Sequence, residues 1–88
     1  MIRRRVVVHG LVQGVYFRDT TRRHARSAGI AGWVRNRPDG TVEAVFEGEA
    51  QAVERLVTLC HEGPRGARVD RVEVSVEEPE GLAGFSIR

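Results

Sequence analysis

The stretch Val6-Val7-Val8-His9-Gly10-Leu11-Val12-Gln13-Gly14-Val15-Tyr16-Phe17-Arg18 holds the first change of hydrophobic period in the chain. Residues 4–9 form a β-branched run and read as a buried strand. Gly10 and Gly14 bracket a turn. From Phe17 onward the apolar and small positions are Phe17, Thr21, His24, Ala25 and Ala28, a helical spacing. Arg18, Asp19, Arg22, Arg23 and Arg26 take the wet side of that helix. Gly29 supplies its C-terminal stop.

Outward from this junction the period switches again. Residues 31–37 read as a second strand, and Pro38-Asp39-Gly40 is a hairpin turn, with proline presetting one dihedral and glycine permitting positive φ. Residues 41–47 read as a third strand, placing Val42, Ala44 and Phe46 on one face and Glu43, Val45 and Glu47 on the other. A second helix is expected over 49–61, with Val53, Leu56, Val57 and Cys60 on one stripe, ended by Gly63-Pro64-Arg65-Gly66. Val72, Val74 and Val76 then alternate with Glu73, Ser75 and Glu77, a half-buried strand. Pro79-Glu80-Gly81 turns the chain into a short final strand around Phe85 and Ile87. Two helices on one face of an antiparallel sheet bury every one of these stripes. The expectation is an α+β, ferredoxin-like βαββαβ sandwich with a short fifth strand, one domain over residues 1–88.

Composition excludes several chemistries. All 14 basic residues of the 88 are arginine, so there is no Walker A lysine, no Schiff base and no Ser-Lys pair. The single cysteine, Cys60, rules out an internal disulfide and reads as a small buried hydrophobe. Cys60 and His61 are adjacent and His9 and His24 lack paired ligand spacing, so structural zinc is not expected. The valines after Arg3-Arg4-Arg5 are too few for a signal peptide, and no stretch approaches membrane-spanning length. These features lead to the expectation of a soluble cytoplasmic protein.

Chemistry is concentrated at the first strand-to-helix junction. Glycine lets backbone approach a ligand closely. A helix start presents unpaired N–H groups and partial positive charge, which together suit an anion. Arg18 sits in the first helical turn, where the dipole disfavours a cation, yet its guanidinium is able to grip two phosphate oxygens at once. On residues alone, the segment is open to two readings: an anion site, or a structural turn with an exposed arginine. Asn36, ending Gly32-Trp33-Val34-Arg35-Asn36, is likewise either a turn former or an amide that orients water.

The run Gly10-Leu11-Val12-Gln13-Gly14-Val15-Tyr16-Phe17-Arg18 resembles the first signature of the acylphosphatase family. Gly32-Trp33-Val34-Arg35-Asn36, with Gly40, Val42 and Gly48 following, resembles the second. The resemblance extends over the whole chain. It implies hydrolysis of the carboxylic–phosphoric anhydride of a small acyl phosphate, without metal or cofactor, by a monomer. It assigns phosphate binding to Arg18 and to the backbone N–H groups of Gly14, Val15, Tyr16, Phe17 and Arg18, with Gly10 and Gln13 shaping the loop. It assigns the attacking water to Asn36. Two alternatives stand beside it: a non-catalytic binder of phosphate or carbamoyl phosphate, and an RNA-binding module. The acids Glu43 and Glu47 on the third strand, with Phe46 its one aromatic, argue against RNA.

Other residues carry blander expectations. Arg3-Arg4-Arg5 reads as a solvated start, and Arg22, Arg23 and Arg26 as a wet helix face. His24 reads as a packed or boundary side chain, His9 as structural or solvent-facing, and Trp33 as core or sheet-surface packing. Asp19 either orients Arg18 or complements the helix dipole.

Overall fold

Side-chain alternation along the strands decides the layering. Val6 and Val8 of one strand lie opposite Ala44 and Val42 of another, and all four are buried on the same face. In the computed structural model, which describes residues 1–88, the elements are β1 (Ile2–Leu11), α1 (Phe17–Ser27), β2 (Ala31–Asn36), β3 (Val42–Gly48), α2 (Ala50–Glu62), β4 (Arg68–Glu77) and β5 (Phe85–Ile87). This is the expected βαββαβ order with a fifth strand. The sheet runs β4-β1-β3-β2-β5. Its first four strands pair antiparallel, and β5 adds parallel to β2, which makes the sheet mixed.

Both helices pack on the face that carries Val6, Val8, Val34, Val42, Ala44 and Phe46. From α1 come Phe17, Thr21 and Ala25. From α2 come Val53, Leu56, Val57 and Cys60, and Glu49 caps that helix by accepting from Ala52 N–H at 2.9 Å. Phe46 stacks on Phe85 with ring centroids 5.8 Å apart, which ties the short β5 to the core. The buried Cys60 thiol is pushed up to about 12 by desolvation and is chemically inert.

The opposite face departs from expectation. Arg3-Arg4-Arg5 is not a solvated start: the three lie within β1, and Arg3 is only 3% exposed. Arg3 donates to Glu47 at 2.6 Å and to Glu77 at 2.7 Å. Arg5 bridges Glu77 and Glu43, and Arg35 joins Glu43 at 2.6 Å. Pairing across the sheet puts alternate arginines of β1 beside acids of β3 and β4, a relation that a linear reading of one strand does not contain. Glu47 also accepts from the backbone N–H groups of Glu80, Gly81 and Leu82, which pins the β4–β5 connection. Trp33 lies among these charges, with the guanidinium carbon of Arg88 4.5 Å from its ring centroid. Sheet-surface packing is therefore its role. No open aromatic platform is left on the sheet for a nucleobase.

Strand β4 is also less buried than its alternation implied. Val74 and Val76 are 46% and 76% exposed, because β4 is an edge strand with no neighbour on one side.

Candidate active site

The functional loop begins inside a strand. Rather than turning at Gly10, β1 continues to Leu11 through a bulge between His9 and Gly10. Gly10 has φ +133°, and a Cβ there would fall 2.1 Å from the Arg68 carbonyl oxygen. Only glycine permits that approach, which aims the following loop across the end of the sheet.

Gly14 and Tyr16 are both left-handed, at φ +76° and +64°. Tyr16 is the only non-glycine residue with positive φ and occupies the position preceding α1. Such turns present successive N–H groups to one side. The N–H groups of Gly14, Val15 and Tyr16 donate to no backbone carbonyl. The first bond of the helix is Thr20 N–H to Tyr16 O at 3.0 Å, so Phe17, Arg18 and Asp19 have no helical acceptor either.

Gln13 holds this loop against the next segment. Its side-chain amide donates to the Arg37 carbonyl at 2.8 Å and to the Thr41 carbonyl at 3.0 Å, on the two sides of the β2–β3 turn. That turn follows Asn36 directly. Gln13 is therefore a brace between the loop and the strand end that carries Asn36.

The loop and the end of β2 enclose a cleft of about 380 Å³ lined by Val12, Gly14, Tyr16, Phe17, Arg18, Asp19, Asn36 and Ile87. Arg18 is exposed, with no carboxylate within 4.0 Å. Asp19, next to it in sequence, does not orient it: Asp19 pairs with Arg22 at 2.9 Å and Arg23 at 3.3 Å, one helical turn on. Asn36 has a buried Oδ1 with no hydrogen-bond partner in the protein. An unmet buried acceptor is costly unless a ligand or water uses it. Of the remaining candidates, Val15 lies just outside this cleft, in an adjoining groove. His24 borders a separate cavity of about 40 Å³ between α1 and α2, a boundary position away from this chemistry. His9 is hydrogen-bonded to Glu73 at 2.8 Å on the strand surface. No group of three or more His, Cys, Asp or Glu side chains is arranged to hold a metal.

Ile87 and Val12 were not singled out in the sequence. Ile87 reaches the cleft because β5 lies parallel beside β2, with Ile87 opposite Val34 and two residues from Asn36. The sole signal was its apolar character in a terminal strand.

Residues 4–87 match the family model for acylphosphatase. The chain belongs to the acylphosphatase family. Among similar proteins, the acylphosphatase of Rubrobacter xylanophilus is 62% identical, over 96% of this chain and 77% of the relative. That of Thermococcus kodakarensis is 56% identical, over 98% of this chain and 94% of the relative. The crystal structure of the acylphosphatase from Bacillus subtilis superposes with a TM-score of 0.96 at 37% identity, covering 100% of this chain and 99% of that one. A structure of full-length HypF in the phosphate- and nucleotide-bound form matches with a TM-score of 0.91 at 27% identity, over 99% of this chain but 12% of HypF. This acylphosphatase-family chain is an enzyme, a hydrolase whose substrate is a small acyl phosphate. No helix is long and apolar enough to cross a membrane.

Proposed function

We propose that the cleft between Arg18 and Asn36 cleaves acyl phosphates to a carboxylate and inorganic phosphate by direct attack of water. Arg18 and the backbone N–H groups of Gly14, Val15, Tyr16, Phe17 and Arg18 hold the phosphoryl oxygens. Asn36 holds the water on the side opposite the leaving group. The observation that carries this reading is a cleft that brings Asn36, whose side chain has no hydrogen-bond partner for its Oδ1 in the protein, together with an arginine that has no acidic partner. The Asn36 side-chain amide carries both a donor and an acceptor, which suits it to orient a water at the cleft wall.

The minimal set is chemically sufficient. The leaving carboxylate is a weak base and needs no general acid. Phosphoryl transfer passes through a loose transition state, so the water needs little deprotonation before attack. The electron pair of the water oxygen forms the new P–O bond, the anhydride P–O bond breaks toward the carboxylate, and the water proton passes to a phosphoryl oxygen. What remains is positioning and charge stabilisation. The reaction as proposed needs no metal or cofactor, and a monomer working in the cytoplasm contains every part named.

The test is hydrolysis of benzoyl phosphate in excess chelator, with Arg18→Ala and Asn36→Ala run in parallel. Full activity in chelator and large losses in both variants are expected. Activity abolished by chelator overturns the metal-free mechanism, and near wild-type turnover in either variant overturns that residue's role.

A further inference from the structure

Tyr16 separates two depressions. On one side is the Arg18–Asn36 cleft. On the other is a shallow groove lined by Val15, Tyr16, Asp19, Thr20, Arg23, Pro64 and Arg65, and the two share Tyr16 and Asp19 as walls. A chain leading out of the first over Tyr16, which is 82% exposed with its backbone held left-handed, enters the second. Beyond Tyr16 the chain meets two guanidinium groups. Arg23 is paired with Asp19 at 3.3 Å, and Asp19 is shared with Arg22 at 2.9 Å. Arg65, on the loop after α2, has no carboxylate within 4.0 Å. Two arginines against one aspartate leave the groove positive.

We propose that this groove is a subsite for the acyl group and selects acyl phosphates whose chain ends in a second anionic group. The inference rests on the phosphoryl group occupying the Arg18 cleft. Tyr16 supplies an apolar surface for the chain, Arg65 receives the distal anion, and Arg23 offsets the charge of Asp19 on the groove wall. Arginine suits the role because its planar fork pairs with a carboxylate through two hydrogen bonds. The groove is open to solvent, so the gain per pair is modest and sensitive to salt.

The experiment compares kcat/KM for succinyl phosphate, which carries a distal carboxylate, with that for acetyl phosphate, whose acyl group ends before the groove. Wild type, Arg65→Ala, Arg65→Lys and the double variant Arg23→Ala/Arg65→Ala are measured. Arg65→Ala is expected to lower the succinyl value about fivefold, chiefly through KM. The acetyl value is expected to stay within about twofold, the scatter of a surface change. Arg65→Lys recovers part of the succinyl value, and the double variant loses more. An unchanged succinyl-to-acetyl ratio in the double variant overturns the subsite, as does an equal fall for both substrates. Failure of the underlying cleft assignment reads out separately, as acetyl phosphate turnover that survives Arg18→Ala.

Discussion

The Gln13 side-chain amide donates to the main-chain carbonyl of Arg37 at 2.8 Å, and through that bond the loop before α1 and the strand end bearing Asn36 are braced together. A second bond to Thr41 O closes the bracket around the β2–β3 turn. The proposed reaction needs its water and its phosphoryl group in fixed relation, and a misplacement of about 1 Å is enough to cost roughly a hundredfold in rate. Gln13→Ala is therefore expected to lower kcat by at least about tenfold while costing only about 1–2 kcal/mol in stability. Gln13→Glu, which sets a carboxylate against two carbonyl oxygens, should be worse on both counts. Turnover of benzoyl phosphate and urea unfolding on the same samples check this, and unchanged kcat in Gln13→Ala refutes the brace.

Arg18 makes no ion pair in the folded chain, so its removal separates function from stability. Arg18→Ala should cost about 3 kcal/mol or more of transition-state stabilisation. Its unfolding free energy should stay within about 0.5 kcal/mol of wild type. Arg18→Lys should restore only part of the activity, because an ammonium cannot bind two phosphate oxygens in the planar fork. Steady-state kinetics with inorganic phosphate as competitor measure both the loss and the weakened binding.

Asn36 offers a sharper sign. Its Oδ1 is buried and unpartnered, so the folded protein gains no internal hydrogen bond from it. Asn36→Ala is expected to be neutral or slightly stabilising while kcat falls about a hundredfold or more, the scale of a lost transition-state contact. Phosphate inhibition should be little changed, since Arg18 and the loop N–H groups remain. A variant that is both inactive and strongly destabilised would make Asn36 structural.

The charged face of the sheet predicts an acid limb in stability. Burial pushes the Glu47 carboxyl up, but the N–H groups of Glu80 and Leu82 and the Arg3 guanidinium outweigh it and hold the group below its ordinary 4.5. Glu43 is lowered in the same way by Arg35 and Arg5 against its own desolvation, and Glu77 is lowered by Arg5 and Arg3. Depressed folded values mean that these groups contribute fully above the unfolded value near 4.5, and that the contribution is lost as pH falls through the folded values. Glu47→Gln should cost about 3 kcal/mol at neutral pH, because it leaves the buried Arg3 short of charge. It should also flatten the decline below pH 4.5. Urea midpoints measured across that range decide it: parallel curves for wild type and variant would remove Glu47 from the acid transition.

The order of elements was legible in the sequence because each announces itself locally. Helix α1 follows from the spacing of Phe17, Thr21 and Ala25, β3 from the alternation of Val42, Ala44 and Phe46, and the connection between β2 and β3 from Pro38-Asp39-Gly40. The loop glycines and Arg18 were legible for the same reason, since backbone freedom and a displaced cation are properties of short segments. The ion-pair face was not. Arg3 becomes a buried residue only when β3 and β4 bring Glu47 and Glu77 alongside it, from 44 and 74 residues away.

By itself, then, the sequence determined which elements form and that Arg18 and Asn36 end the two motifs, while the start of the loop, expected at Gly10, was set by the bulge that carries β1 on to Leu11. The tertiary structure alone decided that Asn36 faces the same cleft as Arg18, that Gln13 couples them, and that Ile87 closes the wall. It also placed Tyr16 at the edge of that cleft and Trp33 on the charged face of the sheet. The physical reason is range. Periodicity and turn chemistry act over a few residues, whereas hydrogen bonds, ion pairs and cleft walls depend on strand order and register, which arise only when distant segments pack.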